Sequence, residues 1–379
     1  MKILIAPDSF KGSMTAREAA EAMKQGILNA GIQADVAIIP MADGGEGTMT
    51  SLIEATKGST KELIVKDPLG RNRRGTYGIT GDGNTAVIEL ANASGLHTLE
   101  KEELDPAVAT TYGTGQLIVD ALDRGLRDFI ICLGGSSTND GGSGILTALG
   151  IRFLDHDGNE LKLGGLALGS LDSINIDQVD KRIYESTFRV ACDVENPLVG
   201  PKGASAVFAP QKGASDELVK KLDKALMVFA DCIERQFGIS VHEYPGAGAA
   251  GGTAGGLLAL LNAELKPGIE LVMEAVNFEK VLKEGRFDFL LSGEGKLDEQ
   301  TASGKVVAGL AKAAKRNGVP VIAVAGSVEG DLHEMYEKGL TAAFSISRGP
   351  ISLEEAMEKG KELTAKIVEQ IFRLLTISG

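Results

Sequence analysis

The chain opens on a short unbroken apolar run, Ile3–Ala6, of the kind a parallel strand buried on both faces requires. Thr15 follows, and Glu18 three residues later completes a capping box that predicts a helix. Ala16, Ala19, Ala20, Met23 and Ile27 recur on one helical face, and Gly31 ends the pattern. Val36–Ile39 predicts a second strand, followed by a glycine loop and a helix from about Thr48 to Ala55.

The period then changes. Lys61–Leu90 alternates short β-like runs with Pro68-Leu69-Gly70 and Gly81-Asp82-Gly83-Asn84, which predicts antiparallel hairpins. Further units of strand and helix follow: a helix around Gln116–Leu122, a strand over Phe129–Leu133, a helix near Gly144–Leu149 and a long amphipathic helix over Leu218–Phe237. Ala247–Ala263 is apolar but rich in glycine, and reads as a close-packed loop and helix. Beyond about residue 285 plain alternation returns: strand Phe289–Leu291, helix Val306–Arg316, strand Val321–Ala325, and a final helix from Leu353 to about Leu375. The expected class is α/β, with one domain made from both termini, 1–65 plus 280–379, and a second α/β domain, 66–279, inserted between them.

Composition adds limits. A length of 379 residues suits two or three domains, and 43% hydrophobic residues suffice for cores without staples. The net charge of -13 and the lack of a basic run argue against a nucleic-acid partner. No stretch has the length and apolarity of a membrane span, and the first apolar run is too short for a signal segment. Cys132, Cys192 and Cys232 are odd in number and lack CxxC spacing, so neither a disulfide frame nor a zinc ribbon is expected, and a cytoplasmic location fits.

The candidate chemistry sits where glycine clusters follow apolar runs. Asp8, Ser9, Lys11 and Ser13 crowd a turn before a capped helix, where partial positive charge favours anions. Asp43-Gly44-Gly45-Glu46-Gly47-Thr48 joins strand to helix with two carboxylates able to hold Mg²⁺. Gly134, Gly135, Ser136, Ser137, Thr138, Asn139 and Asp140 form a loop whose amides and hydroxyls suit oxyanions. Asp193 stands just past Phe188–Cys192, at the carboxyl end of a predicted strand, with Asn196 after it. Lys212 and Arg71 offer cations in turns. The Ser292–Lys305 segment brings Glu294, Gly295, Asp298, Gln300 and Thr301, without the spacing of a Walker A loop. Gly246-Ala247-Gly248-Ala249-Ala250-Gly251 matches GxGxxG literally. No clear strand precedes it and no acidic residue follows at the required spacing, so tight packing is the better reading. The four histidines lie outside these loops, so a carboxylate is the expected general base.

Together these stretches resemble the type I glycerate kinase family. The matching strings are APDSFKGS, PMADGGEGT, DPLGR, ELANASGL, TYGTGQLI, GGSSTNDGG, CDVENPL, FAPQKGA, GAGAAGG and GEGKLDEQT, running in family order from residue 6 to about 305. Ser137 stands where Ala is common and Lys296 where Arg is common. The resemblance implies a Rossmann-like parallel-sheet domain with a second α/β domain inserted, and a site in the cleft between them. It also implies ATP-dependent phosphorylation of D-glycerate, with 2-phosphoglycerate favoured over 3-phosphoglycerate.

Phosphoryl transfer asks for positioning, Mg²⁺ and donors around phosphates, which these loops can supply. Asp193, Lys11 and Asp298 are the catalytic candidates, with Asp193 as base. Asp8, Ser9, Arg71, Asn196 and Lys212 are assigned to substrate. Gly44, Gly45, the 134–140 loop, Gly295, Gln300 and Thr301 are assigned to phosphate or nucleotide. Asp43, Glu46, Glu294 and Asp298 are assigned to metal. The expected ligands are glycerate, ATP and Mg²⁺; a homodimer is the protein assembly considered. Two other classes stay open: a non-catalytic hydroxy-acid sensor, and an NAD-dependent hydroxy-acid dehydrogenase.

Overall fold

The computed structural model describes residues 1–299, 301, 305–347 and 349–375. Its strands are β1 (Lys2–Ile5), β2 (Asp35–Ile38), β3 (Ser59–Lys66), β4 (Asn72–Ile79), β5 (Thr85–Glu89), β6 (Asp128–Cys132), β7 (Arg152–Leu154), β8 (Ser173–Asn175), β9 (Thr187–Ala191), β10 (Glu264–Lys266), β11 (Phe289–Leu297), β12 (Val321–Val328) and β13 (Leu340–Ser345). Two compact units contain them: Met1–Asp43, Thr50–Lys57 and the chain from Ile269 onward in the first, Gly44–Met49 and Gly58–Gly268 in the second.

The first unit holds a five-stranded sheet in the order β13-β12-β11-β1-β2, parallel throughout. Leu4, Ile5, Leu290, Leu291, Val321 and Ala323 are fully buried, as strands covered on both faces demand. From β1 the chain moves outward to β2, and from β11 it moves the other way to β12 and β13. The strand order therefore reverses between β1 and β11, and ligands of open α/β sheets bind outside the carboxyl ends at such a point. The expected capping box forms: Glu18 N donates to Thr15 Oγ1 at 3.2 Å, and Thr15 N to Glu18 Oε2 at 2.9 Å. The predicted apolar face of the Ala16–Asn29 helix is buried.

Two predicted boundaries shift in this unit. β11 does not stop at Leu291; it stays paired with β12 out to Leu297↔Val328, so the Gly-Glu-Gly segment is strand rather than loop. The final helix is two, Leu353–Glu358 and Gly360–Leu375. Ser13 Oγ donates to the Met357 carbonyl at 2.6 Å just before the break, and Gly360 is packed so closely on Ser13 that a Cβ there would sit 2.4 Å from Oγ.

The second unit holds the order β10-β9-β6-β5-β4-β3, parallel from β10 to β5 and antiparallel across β5–β4 and β4–β3. The expected hairpin is present, in register from Ser59↔Ile79 to Lys66↔Asn72. A short antiparallel pair, β7–β8, lies apart. Phe129 and Phe188 stack at 4.9 Å on adjacent strands, a contact worth about 0.5–1.5 kcal/mol beyond its area. The Asp216–Phe237 helix is capped by Ser215, ends at Gly238 with φ of 70°, and buries Leu222, Leu226, Phe229 and Ile233. Among the described residues no helix is long and apolar enough to cross a membrane.

Candidate active site

In the first unit Asp8 and Asp43, past the carboxyl ends of β1 and β2, collect near Glu294, which lies within β11 beyond the level where β1 ends, with Lys11 among them. Asp8 N donates to Gly293 O at 2.8 Å, which fixes the turn after β1 against β11. The Asp8 carboxylate accepts from Ser9 N at 2.6 Å. Burial pushes its carboxyl up to about 7, with the Asp43 carboxylate adding to the rise and Ser9 and Lys11 opposing it. Burial raises Glu294 to about 7 as well, with Lys305 opposing and Asp8 adding. Lys11 Nζ meets Asp43 Oδ2 at 2.9 Å. Glu294 is 6% exposed, and its buried Oε1 has no hydrogen-bond partner among the described residues.

Asp298 is placed differently. It pairs with Lys296 at 3.4 Å and accepts from Thr301 N at 3.2 Å. Desolvation works against its charged form, but Lys305 and Lys296 hold its carboxyl below the ordinary range. Thr301 Oγ1 accepts from Asp298 N at 3.1 Å. Gly295 lies within β11, beside the Phe10–Lys11 backbone, and Gln300 lies outside the described residues.

In the second unit, the loop of Gly44 to Gly47 crosses the carboxyl ends of the parallel strands. Gly44 has φ of 87°, and a Cβ there would stand 2.7 Å from Gly268 Cα and 2.8 Å from Ala191 Cβ, so glycine is required on both counts. Gly134 similarly faces Gly45, and Glu46 is exposed. The loop is anchored by Glu89, at the end of β5, which accepts from Met49 N at 2.9 Å. Sequence reasoning passed over Glu89, although it ends an apolar strand just as Asp193 follows one. Burial raises its carboxyl above the ordinary range, against the amides it receives.

The 134–142 loop after β6 has two halves. Gly134 is half-buried and Gly135 exposed, whereas Ser137 to Asp140 are at most 1% exposed. Ser137 donates through both N and Oγ to Ser94 O at 3.0 Å. Asn139 Nδ2 donates to Ser205 Oγ at 2.9 Å. The Asp140 carboxylate accepts from Thr111 N at 2.8 Å, Thr111 Oγ1 at 2.9 Å, Thr110 Oγ1 at 3.3 Å, and the amides of Gly142 and Gly144. Burial raises its carboxyl, with the Thr111 donors opposing. Thr138 Oγ1 and Asn139 Oδ1 are buried without hydrogen-bond partners among the described residues. Lys212, on the far side of this loop, is fully buried and bonds to Ser136 Oγ and the Thr138 carbonyl.

The remaining candidates in this unit are engaged to different degrees. Asp193 is exposed at the carboxyl end of β9, with Oδ1 accepting from Gly268 N at 2.9 Å. Asn196 Nδ2 donates to Lys202 O at 2.8 Å. Arg71 is held between Asp67 at 2.6 Å and Glu103 at 2.5 Å. The GxGxxG glycines are packing positions: a Cβ on Gly248 would meet Pro197 O at 2.2 Å, and one on Gly251, at φ of 66°, would meet Thr138 O at 2.1 Å. The string therefore braces the neighbouring loops.

A switch-point acid cluster in one unit and glycine loops over parallel strand ends in the other are features of α/β enzymes that bind small anionic ligands. The model of the glycerate kinase family matches residues 3–376, and the chain belongs to that family. It is 48% identical over 369 residues to the glycerate kinase of Halalkalibacterium halodurans, covering 97% of each chain. It is 43% identical to the glycerate 2-kinase of Escherichia coli, covering 100% of this chain and 98% of that one. A crystal structure from Salmonella typhimurium LT2 carrying the name glycerate kinase 2 superposes with a TM-score of 0.90 at 42% identity, covering 100% of this chain and 99% of the other. The chain is thus a kinase with the expected α/β fold.

Proposed function

We propose that this kinase transfers the γ-phosphoryl group of ATP to the C2 hydroxyl of D-glycerate, giving 2-phosphoglycerate. The observation that carries the reading is the cluster of Asp8, Asp43, Glu294 and Lys11 at the β1–β11 switch point, set in a chain of this family. The name of the Escherichia coli relative supports position 2.

Among the described residues no three His, Cys, Asp or Glu side chains stand close enough together to hold a metal alone. Magnesium does not require that, since it is usually bound by one or two carboxylates with substrate phosphates and waters. The hard oxygens of Asp43 and Glu294 fit it, and the orphaned Glu294 Oε1 is an acceptor a cation would satisfy. These two residues would hold Mg²⁺, with Asp8 beside them. The bound ion neutralises charge on the phosphoryl oxygens. Lys11 holds Asp43 in place and adds positive charge beside the cluster. Asp298, already paired with Lys296, supports the end of β11.

Asp193 is our candidate for accepting the substrate hydroxyl proton. Its exposed carboxylate is oriented by the Gly268 amide, which leaves it accessible and aimed. The amides of Gly134 and Gly135 supply donors for an anionic oxygen. Three free thiols accord with a cytoplasmic enzyme.

The deciding experiment is coupled detection of ADP with D-glycerate, glycolate or lactate as acceptor, followed by NMR of the product. Release of ADP that depends on D-glycerate, and a 2-phospho ester, are expected. Equal rates with and without D-glycerate would sink the activity, and a 3-phospho ester would sink the regiochemistry.

A further inference from the structure

Lys212 is 1% exposed, and its ammonium donates to Ser136 Oγ at 2.8 Å and to the Thr138 carbonyl oxygen at 2.6 Å. An ammonium has three hydrogens and no lone pair. With Lys212 protonated, below about pH 7, Ser136 Oγ is therefore the acceptor in this contact, and the serine keeps its own hydrogen to give elsewhere. A hydroxyl that accepts from a cation is a stronger donor, because hydrogen bonds in series polarise one another where the dielectric is low.

The position of Ser136 makes that donor useful. The residue is 7% exposed and stands where the loop passes from exposed Gly135 to buried Ser137. Its backbone is pinned on both sides: Leu96 N donates to Gly135 O at 2.8 Å, and Ser137 N donates to Ser94 O at 3.0 Å. The nearby Asp140 carboxylate is occupied by donors from Thr110, Thr111, Gly142 and Gly144. Lys212 thus has its contacts behind the loop, and Ser136 stands at the edge of it.

We propose that Ser136 is a polarised hydrogen-bond donor to an anionic oxygen of the reactants, and that Lys212 is the positioning residue that fixes the direction of that donor. The anion is a carboxylate or phosphoryl oxygen, and Lys212 acts on it only through Ser136. This inference rests on the kinase reading above.

The test is a double-mutant cycle of wild type, Ser136→Ala, Lys212→Met and the double variant. Each protein is assayed below pH 7, where Lys212 is charged, for kcat and KM with both substrates, and for binding of D-glycerate, ADP and inorganic phosphate by calorimetry. Ser136→Ala is expected to melt close to wild type and to lose about 10–100-fold in kcat/KM, the range for a hydrogen bond to a charged group. Lys212→Met should lose a similar factor, and the double variant no more than the worse single one. Weaker binding confined to D-glycerate assigns the carboxylate; weaker binding of ADP or phosphate assigns the phosphoryl oxygen. Wild-type kinetics and binding within twofold in Ser136→Ala overturn the proposal, as do losses that multiply. If Lys212→Met does not fold, Ser136→Thr decides: it keeps the hydroxyl and should retain activity that Ser136→Ala lacks, and equal loss in both overturns the relay. No ADP formation by the wild type would refute the kinase reading itself, while calorimetry would still test the relay.

Discussion

Replacing Gly256 with alanine sets two opposed effects against each other. Gly256 lies in the Ala249–Leu261 helix, beyond the non-helical Ala250–Gly252 stretch. Alanine in a helix interior is favoured over glycine by about 1 kcal/mol. Yet a Cβ at this site would stand 2.0 Å from the Gly141 carbonyl oxygen. Relief to ordinary contact near 3.5 Å needs more than about 1 Å of movement. Overpacking of that kind costs about 1–3 kcal/mol or more, so the steric term wins. So close an approach places the cost at the upper end of that range, and the net loss of about 2 kcal/mol corresponds to a fall in Tm of roughly 4–8 °C for a unit of this size. Because Gly141 N also donates to Gly251 O at 3.0 Å, helix and loop are tied twice, and the strain falls on the 134–142 loop. A displacement near 1 Å in a positioning element costs about 100-fold in rate. Gly255→Ala is the control: the nearest atom to its Cβ is 3.1 Å away, so helix propensity and mild crowding nearly cancel. Differential scanning calorimetry and steady-state kinetics read both effects. If Gly256→Ala melts at or above wild type and keeps kcat within twofold, the claim that this helix sets the loop is wrong.

Glu294→Gln should raise the Mg²⁺ concentration for half-maximal rate at least about tenfold, measured by titration at saturating substrates; an unchanged requirement would remove Glu294 from the metal site. Asp193→Asn should lower kcat by about 10²–10⁴-fold with little change in D-glycerate affinity, and a loss under threefold would rule it out as the base. Burial depresses Lys212 to about 7, Asp140 opposing, while an unfolded lysine titrates near about 10.4. Between those values the unfolded state binds more protons, so this residue's contribution is full above the unfolded value and is lost as pH falls through about 7. Wild type should therefore gain up to about 2 kcal/mol over Lys212→Met between pH 7 and 9 in urea melts, and parallel curves would refute the depressed value.

What could be read from the sequence was what short-range physics decides. Thr15 and Glu18 specify a cap whatever they pack against, and the apolar period of Leu218–Phe237 specifies a helix face. The antiparallel hairpin was legible from its turns. The continuation of β11 through Gly293-Glu294-Gly295 was not, because glycine-rich strand and glycine-rich loop look alike until β12 supplies the pairing partner. Nor was the break before Gly360, which depends on Ser13, 347 positions earlier in the chain, packing against it. The motif strings located the candidate site, but they could not tell which side chains turn inward. Arg71 in a turn suggests a free fork, and only the fold brings Glu103 to it.

The same distinction explains why so many polar residues surround so small a reaction. In the 134–142 loop Ser137, Asn139 and Asp140 are committed to Ser94, Ser205 and Thr111, each brought in from a separate stretch of chain. A buried carboxylate with five donors is stable only while all five stay in place, since losing one leaves charge desolvated and underpaired. That arrangement gives the loop one conformation. Phosphoryl transfer gains most from groups that are already oriented, because donors that need not reorganise stabilise the developing charge at no added cost. The motifs GGSSTNDGG, TYGTGQLI, FAPQKGA and GAGAAGG are therefore parts of one scaffold. Few of their side chains need touch a reactant. On the proposed reading, their part in the chemistry is to hold Gly134, Gly135 and Ser136 still.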